Sequence, residues 1–161
     1  MALSDVSNIL WRERRLLELL VCKLEEAQQH SRETGDVENV LGEIKHIGLE
    51  RSMLVADASR ELGASGSPTL RELADLTPSP WGGIFAEHRR ALLTLADEID
   101  SITTLSGRTT HARNRPAPDR GRFLRRQTAQ SQSTSNDLTM KQNLSEANAR
   151  ALQPSLTDFL K

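Results

Sequence analysis

The sequence predicts an all-α protein: an elongated antiparallel helical hairpin or bundle of about three long helices with a short connecting helix. Three observations carry this. Apolar residues recur at three- and four-residue steps over long stretches, the signature of amphipathic helices. Aromatic residues are only 3% of the 161-residue chain against 37% hydrophobic, with no Tyr, so the core must be built from Leu, Ile, Val and Ala. Glycine and proline cluster at a few breaks instead of punctuating short strands. The expected organisation is a helical core over 1–105, a basic, polar, unstructured segment over 106–135, and a weak C-terminal helix with an apolar tail over 136–161.

The first helix is the clearest. In LWRERRLLELLVCKLEE (residues 10–26), with Ile9 before it, Ile9, Leu10, Leu16, Leu17, Leu20, Val21 and Leu24 make a wide apolar face. Arg12, Glu13, Arg15, Lys23 and Glu26 read as its charged back. Such a helix cannot bury its stripe alone and needs partner helices. Ser4 or Asp5 is positioned to cap it, and it runs to about His30. Thr34-Gly35-Asp36 breaks it, and Asp36 can cap the next. The short connection favours an antiparallel neighbour.

The second helix is expected over Val37 to Leu62. Val37, Val40, Leu41, Ile44, Ile47, Leu54, Ala58 and Leu62 form a near-heptad seam. Gly42 and Gly48 weaken it, or allow a close backbone approach, and Gly63 is placed as its stop. After the loop Ala64–Pro68, Thr69-Leu70-Arg71-Glu72 is a capping box, with the Thr hydroxyl reaching forward and Glu72 reaching back. The short helix it starts ends at Thr77-Pro78-Ser79-Pro80. Ser79 can cap a further helix with Pro80 at its first position. That helix carries Trp81, Ile84, Phe85, His88, Leu92, Leu95, Ile99 and Ile102, though Gly82 and Gly83 weaken its first turn.

Beyond Leu105 the pattern changes. The formal charge of −1 conceals an asymmetry: residues 1–105 carry 11 basic and 18 acidic side chains, net −7, and residues 106–161 carry 10 and 4, net +6. Residues 106–135 hold Pro116, Pro118 and seven arginines but little apolar material, so no packed structure is expected there. Arg108, Arg113, Arg115, Arg120, Arg122, Arg125 and Arg126 can meet phosphates electrostatically. Only Phe123 interleaves with them, so nucleic-acid recognition has little support. A weak helical pattern returns through Leu138, Leu144, Ala147 and Ala151.

The chain ends in LQPSLTDFLK. An apolar cluster at this place must dock back on the helices or onto something else. The reading taken here is the second: Leu152, Leu156, Phe159 and Leu160 are candidate partner-binding residues. Pro154 interrupts the helix and Ser155 can cap a new turn. That turn offers Leu156, Phe159 and Leu160 at i, i+3 and i+4, the spacing of helices that dock into grooves.

Catalysis finds no foothold. His30, His46, His88 and His111 lack partners at metal-ligand spacing, and no cofactor motif occurs. There is no nucleophile elbow, and the pairs Glu25-Glu26 and Asp97-Glu98 read as solvated. Cys22, the only cysteine, reads as a small packed residue beside the first stripe, and His88 as a packed or half-exposed structural histidine. The mean hydropathy of −0.50, the short apolar runs and the absence of a signal-like N-terminus make a cytoplasmic, non-enzymatic protein without metal or cofactor the default expectation.

The ordered set LWRERRLLELLVCKLEE, TLRELADLTPSPWGGIFAEHRRALLTLADEI and LQPSLTDFLK resembles the FlgN family of flagellar export chaperones, in a form similar to its actinobacterial branch. The resemblance covers about residues 3–104 and, more loosely, 138–161. It departs where the family's third long helix normally continues and this chain reads GRTTHARNRPAPDRGRFLRR. The resemblance implies a small cytoplasmic helical protein that binds the helical ends of hook-associated proteins and passes them to the type III export apparatus. A self-associating coiled-coil module and a small regulator acting on nucleic acid are the competing classes.

Overall fold

The computed structural model describes residues 2–30, 35–64, 66–113, 144, 147–151, 154 and 156–160. They form α1 (Ala2–His30), α2 (Gly35–Glu61), α3 (Leu70–Leu76) and α4 (Trp81–Arg113), followed by a C-terminal helical segment within 147–160. There is no strand among them. None of these helices is long and apolar enough to cross a membrane.

α1 is the central rod, about 43 Å long at 1.5 Å per residue, and packs against both α2 and α4, while α3 packs on α4. Side-chain pairs set the directions. Arg12 meets Glu50 at 3.2 Å and Lys23 meets Asp36 at 3.6 Å, so α1 and α2 are antiparallel, as the short connection requires. Ser7 lies beside His88, and Gln28 donates to the Ile102 carbonyl, so α1 and α4 run parallel. The C-terminal segment runs back along α4: Arg150 donates to the Thr103 carbonyl and Arg89 to the Leu160 carbonyl. The chain thus goes up, down, up and down.

The core is the aliphatic one that the composition demands. Ile9, Leu10, Leu17, Leu20 and Leu24 of α1 meet Val37, Leu41, Ile44, Ile47 and Val55 of α2 and Phe85, Leu92 and Ile99 of α4 in one buried cluster. Leu156 and Leu160 belong to the same cluster.

The ends of the helices are decided locally. α2 stops in a Schellman arrangement: Ala64 N–H bonds the Ser59 carbonyl and Gly63 N–H the Arg60 carbonyl, with Gly63 at φ 71°. The capping box at Thr69 and Glu72 is present in both directions. Ser79 does not cap α4. The Pro80 carbonyl instead accepts the first bond, from Ile84 N–H, and the Ser79–Pro80 peptide is cis. Nor do Ser4 or Asp5 cap α1, which begins at Ala2 with Asp5 already in its first turn. Asp36 likewise sits inside the first turn of α2.

Two glycine expectations are corrected. Gly42 and Gly48 make no close approach, since a Cβ at either would meet nothing within 4 Å. The close approach is at Gly82, where a Cβ would lie 2.7 Å from the Ala74 carbonyl oxygen and 3.2 Å from that of Thr77. Gly82→Ala should therefore lower stability by about 1–3 kcal/mol through the shift it forces on α3. Gly83→Ala, with open space around it, should be neutral or gain up to about 1 kcal/mol of helix propensity. Urea midpoints of the two variants check this contrast.

α4 runs to Arg113, past the expected end of the helical core near Leu105. Among the described side chains of α4, which reach Leu105, Ile102 and Thr103 are the last buried ones. The backbone continues through GRTTHAR because helix propagation needs only its own hydrogen bonds, and no proline interrupts before Pro116. Most of the basic segment, from residue 114 to 135, lies outside the described residues.

Candidate partner-binding site

The C-terminal cluster is not a free surface. Leu156 and Leu160 are buried, and Phe159 packs half-buried against the core; Leu152 lies outside the described residues. The expectation of an exposed apolar tail is corrected for these three, because two leucines and a phenylalanine find apolar walls already present between α2 and α4. Pro154 is itself helical.

Beneath this segment lies a polar centre that periodicity alone does not flag. Glu13 of α1 and Arg51 of α2 form a buried ion pair through Arg51 Nη1 and Glu13 Oε1. The Arg51 guanidinium also stacks over the Phe159 ring, 4.1 Å from its centroid, a cation–π contact that ties the tail to α2. Burial pushes the Glu13 carboxyl above its ordinary range, with the Arg51 charge and hydrogen bond opposing. Two atoms of the pair, Glu13 Oε2 and Arg51 Nε, are buried without a hydrogen-bond partner among the described residues. By sequence alone Glu13 reads as part of the charged back of the helix. It follows Ile9 and Leu10 and precedes Leu17 at the same three- and four-residue steps, and Arg51 follows Ile44 and Ile47 likewise; that register is the signal that marks both as seam positions.

Both residues line a cavity of about 350 Å³ between α1 and α2. Leu17, Ile44 and Leu156 give it apolar walls, and Lys45, Gly48, Leu49 and Ser52 border it. Of the expected partner-binding residues that are described, Leu156 alone borders this opening. On the outer face of α2, Leu49 and Met53 lie one turn apart and are 69% and 70% exposed.

A second cluster joins α1 to α4. His88 is buried, 3.4 Å from Ser7 Oγ through Nε2, with Trp11 edge-on at 5.3 Å. Arg14 lies over the Trp11 ring at 5.1 Å. Burial lowers the His88 pKa from its ordinary value, Arg14 lowers it further, and Glu87 opposes. The unfolded chain then binds this proton more readily than the fold does. The contribution of neutral His88 is present above the unfolded value of about 6.5 and is lost as pH falls through it toward the lower folded value. The urea midpoint should drop between about pH 7 and about pH 5.5 more steeply than in His88→Gln.

Cys22 is exposed, not packed as expected: it lies one position beyond the edge of the seam that Val21 still reaches. Glu25, Glu26, Asp97 and Glu98 are exposed as expected. Among the described residues no group of His, Cys, Asp and Glu is arranged to hold a metal ion. Compared with known proteins, the chain matches no family model, no curated protein and no solved structure.

Proposed function

We propose that this protein is an export chaperone of the FlgN type. In the cytoplasm it binds the helical ends of hook-associated flagellar proteins and delivers them to the type III export apparatus. It works by binding, without catalysis, metal or cofactor. The observation that carries this reading is the outer face of α2, where Leu49 and Met53 stand exposed beside a cavity with apolar walls. An exposed apolar line at helical spacing suits a helix laid along it. The resemblance of the ordered sequence motifs to the FlgN family supplies the proposed cargo.

The test is genetic. Deleting the gene should abolish the appearance of hook-associated proteins in the culture medium while hook protein is still exported. Wild-type protein should restore them, and a Leu49→Glu/Met53→Glu variant should not. Unchanged secretion in the deletion strain contradicts the reading.

A further inference from the structure

We propose that the C-terminal segment is a releasable strap. In the free protein it closes the apolar groove between α2 and α4, and an amphipathic helix of another protein, arriving at the edge shared with the outer face of α2, takes its place. The proposal deepens the helix-binding reading above and rests on its helix-binding part.

The strap is fastened by side chains and by little of the covalent chain. Leu156 and Leu160 are buried, and the Phe159 ring lies over the Arg51 guanidinium of α2 at 4.1 Å. On the α4 side, Arg89 Nε donates to the Leu160 carbonyl at 2.5 Å, and Arg150 of the strap donates to the Thr103 carbonyl. The connections differ sharply in length. α1 passes to α2 through residues 31–34 and α3 to α4 through 77–80, whereas residues 114–146 lie between α4 and Ala147. Fully extended, that stretch reaches on the order of 100 Å. The strap can therefore leave its seat while α4 stays in the bundle, which is local opening at less than the global cost of unfolding.

The seat is incompletely filled at one edge. Leu156 walls the cavity of about 350 Å³ between α1 and α2, and Leu49 of the outer face borders the same cavity. A helix laid along Leu49 and Met53 thus meets the strap at Leu156. Where the cavity lies, the strap forfeits packing contacts that a bulkier occupant would make.

The strap is also the template for its competitor. Leu156, Phe159 and Leu160 stand at i, i+3 and i+4. The groove therefore fits a helix with leucine, an aromatic ring and leucine at that spacing, the ring resting on Arg51. Each strap opening exposes the groove, so the apparent affinity of such a helix is its intrinsic affinity scaled by the open fraction.

Hydrogen exchange of the full-length chain tests release directly. The amides of residues 157–160 should exchange at least about tenfold faster than those of Leu20 and Leu92. The competitor is a synthetic amphipathic helix of about twenty residues with Leu, Phe and Leu at i, i+3 and i+4, and its twin has Ala at those three positions. Neither carries any flagellar sequence. On addition of the first helix to the isotope-labelled full-length chain, the Phe159 and Leu160 resonances should move to unfolded-chain positions while those of Leu20 and Leu92 keep their folded dispersion. The Ala twin should leave all four in place. Phe159→Ala in the full-length chain loosens the strap and leaves the seat intact. It should raise the affinity for the competitor at least about tenfold, with melting still cooperative.

Equal protection of residues 157–160 and of Leu20 and Leu92 means that the strap opens only with the whole fold, and overturns the proposal. So does a competitor that fails to bind Phe159→Ala, or one that saturates the wild-type chain with the Phe159 and Leu160 resonances unmoved. A hook-associated helix that binds wild type and Phe159→Ala equally well also overturns the strap and leaves the chaperone reading standing. Displacement by the synthetic helix, with no binding of any hook-associated segment, supports the strap and removes the proposed cargo.

Discussion

Arg51→Met should lower the stability of the fold by about 3–5 kcal/mol, because it leaves the Glu13 carboxylate buried without its counter-charge. Glu13 is enclosed at the junction of α1, α2 and the C-terminal segment, and among the described residues Arg51 is its only charged partner there. Replacing both, as Glu13→Met/Arg51→Met, removes two desolvated charges and fills the site with apolar atoms. That double variant should match the wild type or exceed it, by up to about 4 kcal/mol. The single variant has a further signature. With Arg51 gone, nothing opposes the upward push of burial on the Glu13 pKa, so the carboxyl can take a proton in the fold. The deficit should shrink from about pH 8 to about pH 5 as neutral Glu13 becomes accessible. Urea unfolding of the single and double variants at both pH values measures all of this. A single variant within about 0.5 kcal/mol of wild type places the pair at the surface instead.

Removing residues 152–161 should lower the melting temperature of the bundle. Leu156 and Leu160 are buried in the common core, and burying each such leucine is worth roughly 1.5–3 kcal/mol, less the entropy of ordering the segment. Leu160→Ala alone should cost about 2–5 kcal/mol, since the side chain is fully enclosed and its removal leaves a cavity. The loss of the Phe159 ring also uncovers Arg51. An unchanged midpoint after truncation means that the segment stands apart from the fold and returns these residues to a free surface.

What was legible in the sequence was what depends on neighbours in the chain. The seams of α1, α2 and α4, the capping box at Thr69 and Glu72 and the stop at Gly63 are local, and each is where its local rule puts it. What was not legible depends on distant pairings. Glu13 and Arg51 are hidden because a charged residue in an apolar register reads as solvated until its partner, 38 residues away, is known. The tail's spacing at Leu156, Phe159 and Leu160 is equally good for self-docking and for a partner, and only the groove beside α4 decides between them. Gly82 reads as a weak first turn, although its missing Cβ is what lets α4 start against the end of α3.

The outer face of α2 is proposed to receive a helix. Calorimetric titration of the full-length chain with the terminal helical segment of a hook-associated protein tests it most directly. Binding should be saturable, with a negative heat-capacity change as apolar surface is buried. Affinity should fall at least about tenfold in Leu49→Glu, with the melting temperature unchanged because that side chain is exposed. A folded protein that gives no binding, or binding indifferent to Leu49→Glu, contradicts it.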